Sequence, residues 1–299
     1  MAEDFEHTRM TLGEHLSELR TRLFKGVIGV AIAFALAWSQ YEVISDVVMQ
    51  PFYESAEMMN VHFAEVFTAK VETGGAEVFK YFDVEQPSYQ ADDPTTWELR
   101  GEYKADTRLS VFGPTESFTF LLRVCLYFAL FIGGPYLLWQ LWQFLAAGLY
   151  PGERKAAMRY FPYSVALFIV GVLFGYYVMV PYAMYFLGIA LDTDILQAQY
   201  RLSDYFSLLT ALSLALAVVF QLPVVMTFAT RLGLLEPAQL VKSRPYVIVG
   251  SFVLSAILTP PDPITQCMMA IPIMLLFEIG LISSKLCARP RVIPEGEAP

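Results

Sequence analysis

Six stretches of this chain are apolar enough to sit in lipid, and that feature fixes the class of fold. A hydrocarbon core about 30 Å thick is crossed by about 20 apolar residues in a helix. Only helices and closed barrels satisfy their own backbone polar groups inside it. Candidate spans fall at 24–45, 116–138, 161–187, 205–232, 246–258 and 264–284, the fifth barely long enough to cross. Composition agrees. Of 299 residues 56% are hydrophobic and 16% charged, against about 45–50% and 25% in a soluble domain. The expectation is an all-α polytopic membrane protein with six transmembrane helices. Disordered, coiled-coil and disulfide-stapled folds are excluded.

Charge sets the orientation. Short loops on the cytoplasmic side collect Lys and Arg, whereas long loops cross largely regardless of charge. With the N-terminus inside, the inner segments 1–23, 139–160, 233–245 and 285–299 hold 13 basic residues, Lys25 counted with the first and Arg231 with the third, and the short outer loops 188–204 and 259–263 hold only Arg201. Both termini are therefore expected in the cytoplasm. The net charge of −9 is concentrated in the long outer loop 46–115, which carries 13 acidic and 5 basic residues. Within it, 64–109 reads as an acidic extracytoplasmic insertion, with short strands expected at 66–82 and 99–111. No basic stripe suits nucleic acid.

The segment 1–23 is not expected to be a cleavable signal, since acidic residues crowd its start and no small-residue cleavage site follows. Leu12, Leu16, Leu19 and Leu23 form one apolar helical stripe. Thr11 with Glu14 fits a capping box.

Little in the chain speaks for catalysis. Cys125, Cys267 and Cys287 are scattered, and three histidines give no metal-binding spacing. No nucleophile–base pair, Gly-rich phosphate loop or zinc-protease motif is present. No cofactor or enzyme activity is expected. Polar residues inside spans are costly and usually mark function or a buried pair. Glu278, Gln221, Arg123 and Gln266 are of this kind. Each has an alternative reading as an interhelical hydrogen bond or a snorkelling side chain. Pro223 and Pro272 should bend their helices. Gly133 and Gly134 suggest tight helix packing.

Three stretches together resemble one family. The first is Glu14-His15-Leu16-Ser17-Glu18-Leu19-Arg20-Thr21-Arg22-Leu23. The second is Trp139-Gln140-Leu141-Trp142-Gln143-Phe144, followed by Gly148-Leu149-Tyr150-Pro151-Gly152-Glu153-Arg154-Lys155. The third runs from Lys242-Ser243-Arg244-Pro245-Tyr246 through Leu258-Thr259-Pro260-Pro261-Asp262-Pro263-Ile264-Thr265-Gln266 to Phe277-Glu278-Ile279-Gly280. In this order and at these topological positions they resemble TatC, the multi-spanning receptor subunit of the twin-arginine protein translocase. The resemblance covers the chain except the insertion. It departs from the family at Gln221, where many members carry Glu, and at Ala147, where Pro is frequent.

The resemblance implies a concave, glove-like architecture in the inner membrane. It implies that the chain recognises twin-arginine signal peptides of folded proteins and nucleates a translocation complex driven by the proton-motive force. Glu18 and Glu153 would be the arginine receptors, because a guanidinium fork grips a carboxylate in a way that lysine cannot copy. Arg20 and Arg22 would orient Glu18, and Phe144 would contact the signal. Ala256, Ile257, Thr259 and Gln266 would dock single-span partners of the TatA and TatB type. Gln221 and Glu278 would face the concave side, where two short final helices thin the bilayer. Pro51, Pro260, Pro261 and Asp262 would shape the outer side. The receptor complex would hold several copies of the chain in contact with the lipid bilayer. A secondary transporter of a small solute is the competing reading. It requires internal inverted repeats, and none is evident. A purely structural scaffold is a third.

Overall fold

The computed structural model describes residues 12–74, 109–191, 200–260 and 262–287. The helices are α1 (Leu12–Ser39), α2 (Tyr41–Gly74), α3 (Pro114–Ala147), α4 (Pro151–Phe174), α5 (Val180–Leu191), α6 (Leu202–Val219), α7 (Leu222–Arg231), α8 (Pro237–Lys242), α9 (Arg244–Leu258) and α10 (Pro263–Cys287), with a π-helical turn at Gly175–Met179 joining α4 to α5. Five runs are long and apolar enough to cross a membrane: α1, α3, α4 through α5, α6 through α7, and α10. The apolar α9 is shorter, at 15 residues. At 25 residues α10 is of full length, so the expectation of two short final helices is corrected to one.

Helices α1 and α3 run antiparallel in close contact. Gly26 lies against Leu137, Gly29 against Tyr136, and Gly133 against Val30 and Ala33. A turn at 148–150 reverses the chain into α4, where Phe161 meets Trp139 at 4.9 Å and Phe168 covers Gly134. The packing expected of Gly133 and Gly134 is thus divided between two neighbours. Helix α6 is interrupted at Phe220–Gln221 before resuming as α7. Pro223 lacks the N–H that would continue the ladder, so the bend expected there takes the form of a break. Helix α10 runs through Pro272.

The stretch 46–74 contradicts its reading as loop and strand. It lies in a 34-residue helix, α2, with Pro51 inside. Val48, Phe52, Ala56 and Met59 are fully or nearly fully buried along one side of it. Pro51 leaves the carbonyl of Val47 without its helical donor. The Tyr176 hydroxyl supplies one instead, and the Tyr205 hydroxyl donates to the next carbonyl, of Val48, at 2.6 Å. Most of the acidic insertion, 75–108, lies outside the described residues. Of the second expected strand, 109–111 is described, and there Ser110 makes a single isolated bridge with Arg201.

That bridge closes a clasp. The Ser110 N–H donates to the Tyr200 carbonyl at 2.9 Å, and the Leu202 N–H donates to the Ser110 carbonyl at 3.1 Å. The Glu116 carboxylate accepts from the Phe112 N–H at 2.9 Å and the Ser203 N–H at 3.3 Å, and pairs with Arg201 at 3.1 Å. Helices α3 and α6 therefore start at the same end of the molecule.

The largest core cluster joins Ala37 to Val48, Phe52, Val124, Tyr205, Phe206, Leu209, Leu212 and Met269. Large apolar side chains also cover the outside: Val27, Ile28, Ile32 and Leu36 on α1, Val249, Val253 and Ile257 on α9, and Ile271, Leu275, Ile279 and Ile282 on α10. A continuous apolar exterior of this extent is foreign to a water-soluble monomer and is the surface a bilayer requires.

Candidate receptor site at the α1–α3–α4 mouth

The residues read as arginine receptors lie at the end where α1 starts, α3 stops and α4 begins. On α1, His15, Glu18 and Arg22 follow helical spacing and share a face. Arg22 Nε pairs with Glu18 Oε1 at 2.7 Å, the two side chains being 23% and 26% exposed. Arg22 Nη1 also donates to Gln140 Oε1 on α3 at 3.4 Å. Arg22 therefore orients Glu18 and ties it to α3. Arg20 points elsewhere on α1 and is exposed, without an ion pair to a described residue.

His15 stacks on Phe144, with ring centroids 4.4 Å apart, and an added Cβ at Gly148 would approach its Cε1 to 3.2 Å. The foot of α1 is thus seated on the end of α3 and on the turn that leads to Glu153. Glu153 lies in the first turn of α4, half-buried. Its own N–H donates to the Tyr150 carbonyl at 2.9 Å, and its carboxylate forms no ion pair with a described residue. One carboxylate braced by a resident arginine and one without a cationic partner thus face the same end, a fit for two guanidinium groups. Trp142, by contrast, is buried against Phe228 at 5.1 Å and belongs to the core.

From this mouth a groove of about 580 Å³ opens between α1 and α3. Arg22, Gln140 and Phe144 line its near end, and Val27, Val30 and Leu130 line its apolar length. Sequence reasoning did not assign Gln140 or His15 a role. For His15 a signal was present: its spacing to Glu18 and Arg22 places all three on one helical face.

The other polar positions are engaged within the fold. Gln221 Nε2 donates to the carbonyls of Ser164 at 3.1 Å and Ala217 at 3.4 Å, and its Oε1 accepts from the Ser164 hydroxyl. It therefore locks α4 against the α6–α7 break. Glu278 accepts from Arg244 Nη2 at 2.6 Å, with side chains 42% and 45% exposed. In the α9–α10 hairpin these residues stand equally far from the turn, so the short α9 begins beside the acid of α10. Asp262 caps α10 by accepting the Thr265 N–H at 2.9 Å. Gln266 Nε2 donates to the Phe252 carbonyl at 3.1 Å. Thr259 is buried and donates to Ser255 at 2.9 Å. Ala256 and Ile257 are exposed on α9. Pro260 lies in the α9–α10 turn, and Pro261 falls outside the described residues.

Glu278→Arg, which sets two like charges together, is expected to destabilise by about 1 kcal/mol, the scale of an exposed ion pair. The double exchange Arg244→Glu with Glu278→Arg should recover most of that loss. Thermal unfolding of both variants in detergent measures it, and equal midpoints would show that the pair is not coupled.

The family model for the Sec-independent protein translocase protein TatC matches residues 14–272. A Sec-independent protein translocase protein TatC from Desulforapulum autotrophicum is 30% identical over 294 residues, covering 98% of this chain and 91% of its own. The TatC protein from Aquifex aeolicus is 30% identical over 283 residues, covering 94% of this chain and 98% of its own. A crystal structure of the twin-arginine translocase receptor TatC superposes with a TM-score of 0.66 at 27% identity, covering 92% of this chain and all of that one.

Proposed function

Because the chain belongs to the TatC family and is a Sec-independent protein translocase subunit, we propose that it binds the arginine pair of export signals through Glu18 and Glu153. The observation that carries this reading is the mouth itself. Arg22 holds Glu18 and reaches Gln140, while His15 stacks on Phe144 beside the turn that leads to Glu153. In this reading an incoming arginine pair would meet Glu18 on α1 and Glu153 at the start of α4, with Phe144 at the end of α3 beside His15.

In this reading the five long helices and the shorter α9 make six crossings of the inner membrane, with both termini cytoplasmic. The basic residues of 20–25 and 154–159 support that orientation. The exposed Ala256 and Ile257 offer a face to single-span TatA- and TatB-type subunits, with Thr259 and Gln266 bracing the hairpin beneath it. Several copies assemble into one receptor complex, and transport draws on the proton-motive force. The work is protein transport and not catalysis.

Photocrosslinking tests the proposal. A probe beside the arginine pair of a signal peptide should label residues near Glu18 or Glu153 in membranes containing this protein. A Lys-Lys version should label them at least about tenfold less, since lysine lacks the bidentate fork. Equal labelling by the two peptides would refute the receptor site.

A further inference from the structure

The end of the molecule opposite the mouth carries a cavity that the receptor reading does not use. Helix α2 runs beside the π-helical turn and α5, in the same direction. The Tyr176 hydroxyl donates to the Val47 carbonyl, and twelve residues further along each of the two segments Gly188 lies against Met59. Met59 Sδ also accepts the Tyr200 hydroxyl at 3.7 Å, and the Tyr200 carbonyl belongs to the clasp that holds Ser110. This part of α2 therefore stands level with the starts of α3 and α6. There the membrane-length runs end and the headgroup layer of a bilayer begins.

Along this seam lies a cavity of about 640 Å³, lined by Glu54, Glu57 and His62 of α2 and, from the other side, by Tyr177, Tyr182 and Tyr185. Glu54 and Glu57 are exposed and form no ion pair with a described residue. A belt of interfacial tyrosines is ordinary in a membrane protein. Two carboxylates without a cation beside that belt are not. Tyrosine rings also attract cations over their faces, so both sides of the lining call for positive charge. The hydroxyls of the three tyrosines make no hydrogen bond with a described residue and have a proton each to donate to an anion. The lining thus suits a cation and an anion side by side. Deeper in the membrane the surface turns apolar: Leu173 and Val170 are exposed one and two turns before Tyr177.

We infer that this cavity binds the headgroup of an aminophospholipid, with its primary ammonium on Glu54 and Glu57, its phosphate against the tyrosine hydroxyls and an acyl chain along Leu173 and Val170. A primary ammonium offers three N–H donors, and two carboxylates stand ready to accept them. A quaternary ammonium has no N–H and engages only the rings. A phosphatidylglycerol headgroup has no cation and sets its phosphate beside two carboxylates. A lysine side chain of another protein shares the ammonium, but it brings no phosphate for the hydroxyls and no chain for the apolar surface below. The inference stands apart from the receptor reading, since the cavity lies at the opposite end from Glu18 and Glu153.

The test uses the full chain in phosphatidylcholine nanodiscs doped with a lipid that carries a photoreactive group on its acyl chain. The doped lipid is phosphatidylethanolamine, phosphatidylcholine or phosphatidylglycerol in turn, and the labelled residues are mapped by mass spectrometry. The phosphatidylethanolamine probe should label 54–62 and 170–185 at least about fivefold more than the other two, the scale of one charge-assisted contact. The lipid-facing side of α10 should be labelled equally by all three. Glu54→Gln with Glu57→Gln should bring the phosphatidylethanolamine label at the cavity down to the phosphatidylcholine level and leave the α10 label as it was. If that variant does not fold, the comparison of the three lipids on the unaltered chain still decides. Equal labelling of the cavity by the three lipids, or a phosphatidylethanolamine preference that survives the double variant, would overturn the assignment. Displacement of the label by a soluble lysine-rich peptide, but not by unlabelled phosphatidylethanolamine, would overturn it in favour of a protein segment.

Discussion

Glu153→Ala is expected to weaken capture of a twin-arginine signal by about 10–30-fold, and Glu18→Ala by only about 3–10-fold. The order follows from what each carboxylate does in the free chain. Glu18 already has a cation, Arg22, at 2.7 Å. An incoming guanidinium must share or displace it, so the net gain is smaller than that of a fresh contact. Glu153 has no ion pair with a described residue, and it stands in the first turn of α4. A charge-assisted hydrogen bond contributes about 1.5–3 kcal/mol, and every 1.4 kcal/mol is tenfold in affinity. The lower part of that range suits a site open to water. Both variants should fold normally, because neither side chain is fully buried and an exposed i, i+4 pair contributes only about 0.3–0.5 kcal/mol. Affinity of a labelled signal peptide for each variant in nanodiscs measures the effect. If Glu18→Ala cost more than Glu153→Ala, the resident Arg22 would have to be helping the incoming arginine pair, and the arrangement at the mouth would be misread.

The parts of this fold that were legible in the sequence are those set by apolar length. The α3, α4–α5, α6–α7 and α10 runs were visible because a bilayer demands a minimum of consecutive apolar residues. Helix α2 was hidden for the opposite reason. Its stripe at Ile44, Val48, Phe52, Ala56 and Met59 follows helical spacing, but Pro51 and many acidic residues make the segment read as loop. What rescues it is tertiary: hydroxyls from Tyr176 and Tyr205 reach Val47 and Val48, and no local pattern announces those partners. Glu278 shows the same limit. In the sequence it is a lone acid inside a span. Its partner Arg244 becomes visible only once the two are counted outward from the α9–α10 turn. At the mouth, Glu18 and Glu153 came from resemblance, whereas the Arg22–Gln140 contact depends on the α1–α3 register, which composition does not encode.

Gly175→Ala is expected to destabilise the helix bundle, although alanine is the better helix former. Gly171 and Gly175 lie four residues apart on one face, a small-residue pattern that lets helices approach closely. They meet a matching face of α6. A Cβ at Gly175 would fall 2.6 Å from Ser213 Cα, and one at Gly171 would fall 2.8 Å from the Leu216 carbonyl oxygen and 2.9 Å from Ala217 Cα. These obstacles are backbone atoms, so no rotamer change relieves the overlap, and α4 and α6 must separate. Separation would also strain the π-helical turn, which begins at Gly175. Overpacking costs about 1–3 kcal/mol, and against backbone atoms the upper part of that range applies, about 2–3 kcal/mol per site, against about 1 kcal/mol per site that alanine returns in helix propensity. The double variant Gly171→Ala with Gly175→Ala should lose about 2–4 kcal/mol, which at about 2–4 °C per kcal/mol for a chain of this order lowers the unfolding midpoint by about 4–16 °C. Gly250 is the internal control, since an added Cβ there meets nothing within 4 Å, and Gly250→Ala should hold or raise the midpoint. Thermal unfolding of the three variants in one detergent decides it. A double variant as stable as Gly250→Ala would mean that the α4–α6 contact is looser than 2.6–2.9 Å and that the paired glycines are not what holds these helices together.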